Sequence, residues 1–145
     1  MALAAPGCLV VAGLTAGLAL APFDRHPLWP RQQLNLSEAA AVRDVAEIVR
    51  LIESSEDPDA ARDVRSGLLT EHAVRLTPLE AAVAAGDPEI ARVLLVNGAS
   101  MDAQVWNRLR CSAEGHEITE YLDRRRPLQA VLDCDGASAA RHPRE

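Results

Sequence analysis

The side chains that could carry out chemistry are few and scattered. The histidines stand singly, at His26, His72, His116 and His142. Cys111 and His116 lie close together, but no second pair of ligands accompanies them, as a zinc site would need. The sequence has no glycine-rich phosphate loop, no serine elbow and no His-Glu-x-x-His motif. We therefore expect no catalytic residue, no metal and no cofactor, and we predict that the protein is not an enzyme.

The composition indicates one domain with a core of small aliphatic side chains. Hydrophobic residues make up 48% of the 145 residues, whereas only 3% are aromatic. The net charge of −6 argues against general nucleic-acid binding, because phosphate neutralisation needs a basic face. All 15 basic residues are arginine, which indicates a GC-rich coding sequence and favours a bacterial source.

The N-terminal segment predicts export or membrane attachment. Residues 1–21 carry no charged side chain, and residues 9–21 (LVVAGLTAGLALA) form an apolar run of signal-peptide length. The same segment is long enough to span a bilayer as a helix, about 20 residues. A cleaved signal peptide, an uncleaved anchor and a misassigned start all stay open. We expect a periplasmic, secreted or membrane-anchored protein, with residues 22–34 as a proline-rich linker.

The number of cysteines is relevant to whether the protein is exported. Removal of residues 1–21 would leave Cys111 and Cys134, an even number in an oxidising compartment. A disulfide between them is one interpretation, and two buried thiols are the other.

Three short segments of the chain resemble one another. They are residues 47–52 (EIVRLI), 89–94 (EIARVL) and 117–122 (EITEYL), which begin 42 and 28 residues apart. Self-similarity at periods of roughly 20 to 50 residues is typical of stacked repeats. We therefore predict a repeat protein, and such proteins usually bind other macromolecules.

Helix signals surround the first of these segments. Asn35, followed three positions later by Glu38, fits a capping box and predicts a helix to about Arg43. In a second helix, apolar residues recur at helical spacing: Val45, Ile48, Val49 and Ile52. Together they predict a helix-turn-helix unit.

The middle of the chain, residues 77–99 (TPLEAAVAAGDPEIARVLLVNGA), resembles an ankyrin repeat. The shared features are the Thr-Pro-Leu start, the glycine turn, and the Leu-Leu and Gly-Ala pairs that end the second helix. Thr77 can cap the first helix, and Gly86 can adopt the positive φ that ends it. The chain departs from the family at Glu80, where histidine is usual, and at Arg75, where glycine is usual. These departures weaken the expectation of the family's hydrogen bonds between neighbouring turns.

The resemblance implies an all-α ankyrin-repeat solenoid of stacked helix-turn-helix units over residues 35–136, with about three and a half repeats. The inward stripe of the middle unit would be Ile90, Val93 and Leu94. The first unit carries about nine extra residues within the segment 54–75.

The C-terminal third matches the repeat more weakly. In the third unit Gly115 corresponds to Gly86, but one residue is missing from the match. Residues 126–132 (RPLQAVL) echo the start of a further unit and would cap the stack. Residues 137–145 are expected to form a disordered tail.

The family also implies which residues contact a protein partner. They are Arg75, Leu76, Ala85, Asp87, Gln104, Trp106 and Arg108. The first two would lie on a projecting turn, the next two at the turn between helices, and the rest on the following unit. Trp106 is the strongest candidate because tryptophan is enriched at interface hot spots, but it could instead fill the core of a chain with few aromatic residues.

These observations predict a monomeric, non-enzymatic module that presents a concave ankyrin surface to a protein of unknown identity. Two alternatives stay open. One is a membrane-anchored structural or assembly factor in which the N-terminal segment is the functional part. The other is an inhibitor or immunity-type protein that covers one enzyme. A basic cluster at residues 124–126 could complement a helix C-terminus or dock an acidic partner.

Overall fold

A computed structural model describes residues 33–135. The predicted signal or anchor segment (1–21), almost all of the linker (22–34) and the tail (137–145) lie outside them. The described elements are α1 (Leu36–Ala41), α2 (Val45–Glu53), β1 (Arg62–Val64), β2 (Val74–Leu76), α3 (Pro78–Ala84), α4 (Pro88–Val96), α5 (Ala103–Ser112) and α6 (His116–Arg124). The fold is therefore all-α, apart from one small strand pair.

The helices form pairs that stack in two rows. In one row α1 packs on α3 and α3 on α5, and in the other α2 packs on α4 and α4 on α6. Fully buried alanines lie where α1 and α3 meet: Ala39, Ala40, Ala81 and Ala82. Because these side chains are small, the two helices can approach closely. The boundaries and number of the repeats stay predictions.

The helix starts confirm the capping signals. The Asn35 side chain accepts a hydrogen bond from the Glu38 amide, and the Glu38 carboxylate accepts one from the Asn35 amide. Thr77 and Glu80 repeat this arrangement at the start of α3. Each box satisfies backbone donors that have no partner within the helix.

The buried face of α2 differs from the predicted one. Ile48 and Leu51 are buried, whereas Val45 is 42% exposed. Val45 is the first residue of α2, one turn before the first buried side chain, Ile48. The prediction for α4 is closer, because Ile90 and Leu94 are buried and Val93 is partly buried.

The segment predicted as an inserted loop contains a β-hairpin. β1 and β2 pair antiparallel, with Asp63 opposite Arg75 and Val64 opposite Val74. The strands were missed because each has only three residues, too few for an alternating pattern to be recognised.

The turn of the third helix pair shows why one residue is missing when the third unit is matched to the middle one. In the middle unit Gly86 has a positive φ, and Asp87 then caps α4. In the third unit Gly115 has the positive φ and is itself the N-cap of α6, without a side-chain cap. One glycine therefore does what two residues do in the middle unit.

The predicted half-unit at residues 126–132 forms no helix. The segment makes a turn in which the Arg126 guanidinium and the Ala130 carbonyl are hydrogen-bonded. Leu128 and Val131 point into solvent. No helix among residues 33–135 covers these two side chains, and the echo in the sequence is not repeated as a helix there.

Within the described residues, no helix has the length and apolar character that crossing a bilayer requires.

Candidate protein-binding groove

A groove of about 380 Å³ lies between the β-hairpin and the helices that follow it. One wall is β2 with the loop that joins it to β1, and the other is formed by α3, α5 and the residue before Gly115. The lining residues are Leu69, Thr70, Val74, Arg75, Leu76, Glu80, Ala84, Arg108, Ser112 and Glu114.

The hairpin wall is held in place by the start of α1. The buried Glu38 carboxylate accepts hydrogen bonds from Arg65 Nε at 2.6 Å and Arg65 Nη2 at 3.2 Å. The Asn35 side chain donates to the Asp63 carbonyl, and the Ser37 hydroxyl donates to the Leu76 carbonyl. These contacts fix both strands and the residue after β1 to a packed helix, so the wall is positioned before any partner arrives.

Arg75 is the exposed side chain of this wall. Its neighbours Val74 and Leu76 are partly buried and pack against the core, so the alternation of the strand turns Arg75 outward. The structure shows no ion pair for Arg75 among residues 33–135. Asp63 lies opposite Arg75 on β1, and the exposed Arg75 side chain can also reach a carboxylate on a partner.

The opposite wall carries a looser ion pair. Glu80, whose carboxylate also caps α3, lies 3.6 Å from Arg108 Nε on α5. Both side chains are partly exposed. Ser112, one turn further along α5, directs its hydroxyl to the Arg108 carbonyl. This wall therefore presents both charges and donors next to the small side chain of Ala84.

The family model of the ankyrin repeat matches residues 75–105. This chain is an ankyrin repeat protein. The match begins at Arg75 in β2, covers α3 and α4 and ends in α5. No curated protein and no solved structure matches the chain significantly. Ankyrin repeats are a non-catalytic fold that binds other proteins, so the protein is an interaction module in this general sense.

Three of the predicted contact residues of this ankyrin protein meet in the groove. Arg75 and Leu76 come from β2, and Arg108 comes from α5. They were predicted from positions in the repeat pattern, and the structure places them on facing walls of one groove.

The other predicted contacts lie elsewhere. Ala85 and Asp87 form the turn between α3 and α4, where Arg43 donates to the Ala85 carbonyl and lies 3.6 Å from the Asp87 carboxylate. Gln104 is exposed near the start of α5, away from the groove. Residues 97–102, which join α4 to this helix, contain no helix or strand.

Trp106 is a core residue, and its assignment as a partner contact is wrong. Its side chain is 1% exposed, and its Nε1 donates to the Leu122 carbonyl at 2.8 Å. The Arg126 guanidinium lies 5.3 Å from the ring centroid, a cation–π contact. Trp106 therefore joins α5 to α6, and the alternative interpretation of a core tryptophan is the correct one.

Several groove residues were not predicted. Ser112 follows Arg108 at a spacing of four, so recognising α5 as one continuous helix would have found it. Leu69 and Thr70 carry no such signal, since their place depends on how the hairpin folds. Glu114 is near the groove only because Gly115 turns the chain there.

Cys111 and Cys134 are joined by a disulfide in the structure. Beside it, the Asn107 side chain donates to the Asp133 carbonyl and accepts from the Asp133 amide. The segment that ends at Cys134 is thus fastened to α5, on a helix face next to the one that carries Arg108. Within residues 33–135 no cluster of three or more histidine, cysteine or acidic side chains is placed to hold a metal ion.

Proposed function

We propose that the protein is a non-enzymatic module that receives a protein partner in the groove between the β-hairpin and helices α3 and α5. The observation that carries this proposal is the meeting of Arg75, Leu76 and Arg108 on the two walls. Family position had already nominated all three as contacts. The hairpin wall is anchored to α1 by hydrogen bonds, among them those to the buried Glu38 carboxylate, so little ordering free energy would be lost on binding.

The groove has the mixed character of a protein-binding site. Four of its ten lining residues are apolar, and Arg75 and Arg108 are among the polar and charged ones. Arginine is enriched at the centre of interfaces because its guanidinium can bind a carboxylate in a bidentate manner and also stack on flat groups. Arg75 and Arg108 are therefore the residues whose loss should weaken binding most.

The test is a cross-linked affinity purification of the tagged full-length protein from its native cells, followed by mass spectrometry. The R75A/R108A variant should recover its main partner at least about tenfold less well than the wild type. The matched control is Arg92→Ala, an exposed arginine of α4 outside the groove that pairs with Glu89. Equal loss in both variants, or no loss in either, would reject the groove as the binding site.

We also propose that the protein is exported or membrane-anchored, on the strength of residues 1–21. N-terminal sequencing of the mature protein together with carbonate washing of membranes tests this point. A cytoplasmic protein with an intact N-terminus that washes off membranes would exclude both forms.

A further inference from the structure

Strand β2 is paired on one side only. Within residues 33–135 the sheet has two strands, and β1 is the sole neighbour of β2. Val74, Arg75 and Leu76 all line the groove, whereas no residue of β1 does. Successive side chains of a strand point to opposite faces. A groove lined by three consecutive residues is therefore bordered by the edge of the strand, where backbone N–H and C=O groups have no strand partner.

The place next to β2 is empty because the following connection is short. Residues 54–77 carry the hairpin between the first and second helix pairs, but residues 97–102 only join α4 to α5. The described part of the chain has no further hairpin to lie beside β2. The groove is the space between this free edge and the wall of α3 and α5.

The side chains around the edge specify what would fit. A residue directly opposite Arg75 on an added strand would bring its Cβ within about 5.5 Å, and opposite charges at such positions stabilise the pair. The residues before and after it would face the side of Val74 and Leu76, which with Leu69 and Ala84 are the apolar residues that line the groove. The complementary pattern is therefore apolar, acidic, apolar.

We propose that the partner enters the groove as an extended segment that pairs with β2 as a third strand, with an acidic side chain beside Arg75 and apolar side chains on either side of it. This inference rests on the proposed function, because it specifies how that same groove is filled. Strand addition supplies affinity through main-chain hydrogen bonds, and alternate side chains supply specificity.

The test starts from a displayed library of random peptides of about ten residues, enough for one strand. The library is selected on the full-length protein, and the selected peptides are measured by fluorescence anisotropy. We expect the apolar, acidic, apolar pattern among them. Arg75→Glu should weaken binding at least about tenfold, and a lysine in place of the peptide's acidic residue should restore it. Arg92→Glu, outside the groove, is the control and should bind as the wild type does.

Two measurements then separate a strand from other bound forms. N-methylation of the peptide backbone should abolish binding at alternate positions only, since alternate N–H groups of an added strand face β2. Hydrogen exchange of the amides in residues 74–76 should slow when the peptide is bound. Circular dichroism of each variant confirms that the fold is unchanged.

The outcomes distinguish the two proposals. Peptides that depend on Arg75 but tolerate N-methylation everywhere and leave exchange in β2 unchanged would overturn the third strand, while the groove would stand as the binding site. A selection that returns no peptide sensitive to Arg75 or Arg108 would overturn both.

Discussion

The two connections between helix pairs differ, although they join similar units. Residues 54–77, between α2 and α3, contain the β-hairpin, whereas residues 97–102, between α4 and α5, contain no regular element. The first connection builds one wall of the groove. The second leaves the space in front of that wall open. The groove thus arises from a difference between neighbouring units and not from their similarity.

The same local motif serves both connections in different ways. Glu38 and Glu80 each complete a capping box, and each also meets an arginine. For Glu38 the arginine is Arg65, which comes from the hairpin and fastens it at 2.6 Å; for Glu80 it is Arg108, from α5, at 3.6 Å. The capping box holds the glutamate carboxylate in place at both positions. The tertiary structure determines which arginine pairs with it.

The third helix pair has a different fastening. A disulfide, the Asn107–Asp133 hydrogen bonds and the stacking of Arg126 on Trp106 hold its C-terminal segment. The hairpin is held by an ion pair in which only the glutamate is buried, whereas this end is held by a covalent link.

The largest effect should come from that covalent link. The C111S/C134S variant should be less stable by about 3 kcal/mol, because the disulfide closes a loop across a sequence separation of 23 and restricts the unfolded chain. Urea unfolding of the full-length protein followed by tryptophan fluorescence measures the loss, and Cys8→Ser is the control that should change nothing. Thiol counting on the denatured, unreduced full-length protein should find only Cys8. Three free thiols would show that the bridge does not form.

Neutralising the two capping glutamates should lower the free energy of unfolding by different amounts. Glu38→Gln should lose about 2 kcal/mol, because its buried carboxylate receives charged hydrogen bonds from Arg65. Glu80→Gln should lose only about 0.5 kcal/mol, because its ion pair is longer and partly exposed. Urea denaturation of both variants at neutral pH makes the comparison. Equal losses would mean that the hairpin is not fastened through Glu38.

The turns between paired helices offer a third comparison. Arg43 and Gly86 both have a positive φ, at 62° and 70°. Gly86→Ala should cost about 1 kcal/mol, since a side chain disfavours this conformation. Arg43→Gly should change stability less, because relief at the backbone is offset by loss of the contacts to Ala85 and Asp87 and by a more flexible unfolded chain. Thermal unfolding of the two variants compares their losses of stability. A larger loss for Arg43→Gly would mean that the Arg43 side-chain contacts matter more than the backbone conformation at Gly86.

The smallest effect concerns Tyr121 in the third pair. Burial raises the pKa of its phenol, which the nearby Arg125 guanidinium opposes, and among residues 33–135 the hydroxyl has no hydrogen-bond partner. The folded state favours the neutral phenol. Its contribution to the free energy of unfolding is therefore fully present below about pH 10, the pKa of the phenol in the unfolded chain, and is lost as the pH rises through the pKa in the folded protein. Tyr121→Phe should remove this alkaline loss and raise stability by roughly 0.5 kcal/mol at neutral pH.

Tyr121 is the only tyrosine of the chain, so the ultraviolet absorbance of the ionised phenol reports its titration directly. A phenol that titrates at or below its ordinary pKa in the folded protein would contradict the burial of its hydroxyl.

The sequence predicted those parts of the fold that depend on neighbouring residues. The capping boxes at Asn35 and Thr77 and the inward residues Ile90 and Leu94 follow from spacing alone. So does the turn at Gly86, where a positive φ is needed. These features are local, and a few residues supply all the groups that satisfy them.

The candidate site was only partly predictable. Arg75, Leu76 and Arg108 were found by their positions in the repeat, but Trp106 was assigned to a surface that it does not reach. Whether a tryptophan at this place is exposed depends on α6 and on Arg126, both distant in sequence. The hairpin was missed for the same reason, because its short strands are stabilised by α1 and not by their own pattern.

The sequence by itself predicted paired helices, because caps, turns and helical periodicity depend on consecutive residues, and its resemblance to the ankyrin repeat predicted the all-α stack. Only the tertiary structure decided where a partner could enter. The groove exists because one connection folds into a hairpin pinned by Glu38 and Arg65, while the next is too short to cover it. Contacts between residues far apart in the chain determine that arrangement, and no local pattern encodes it.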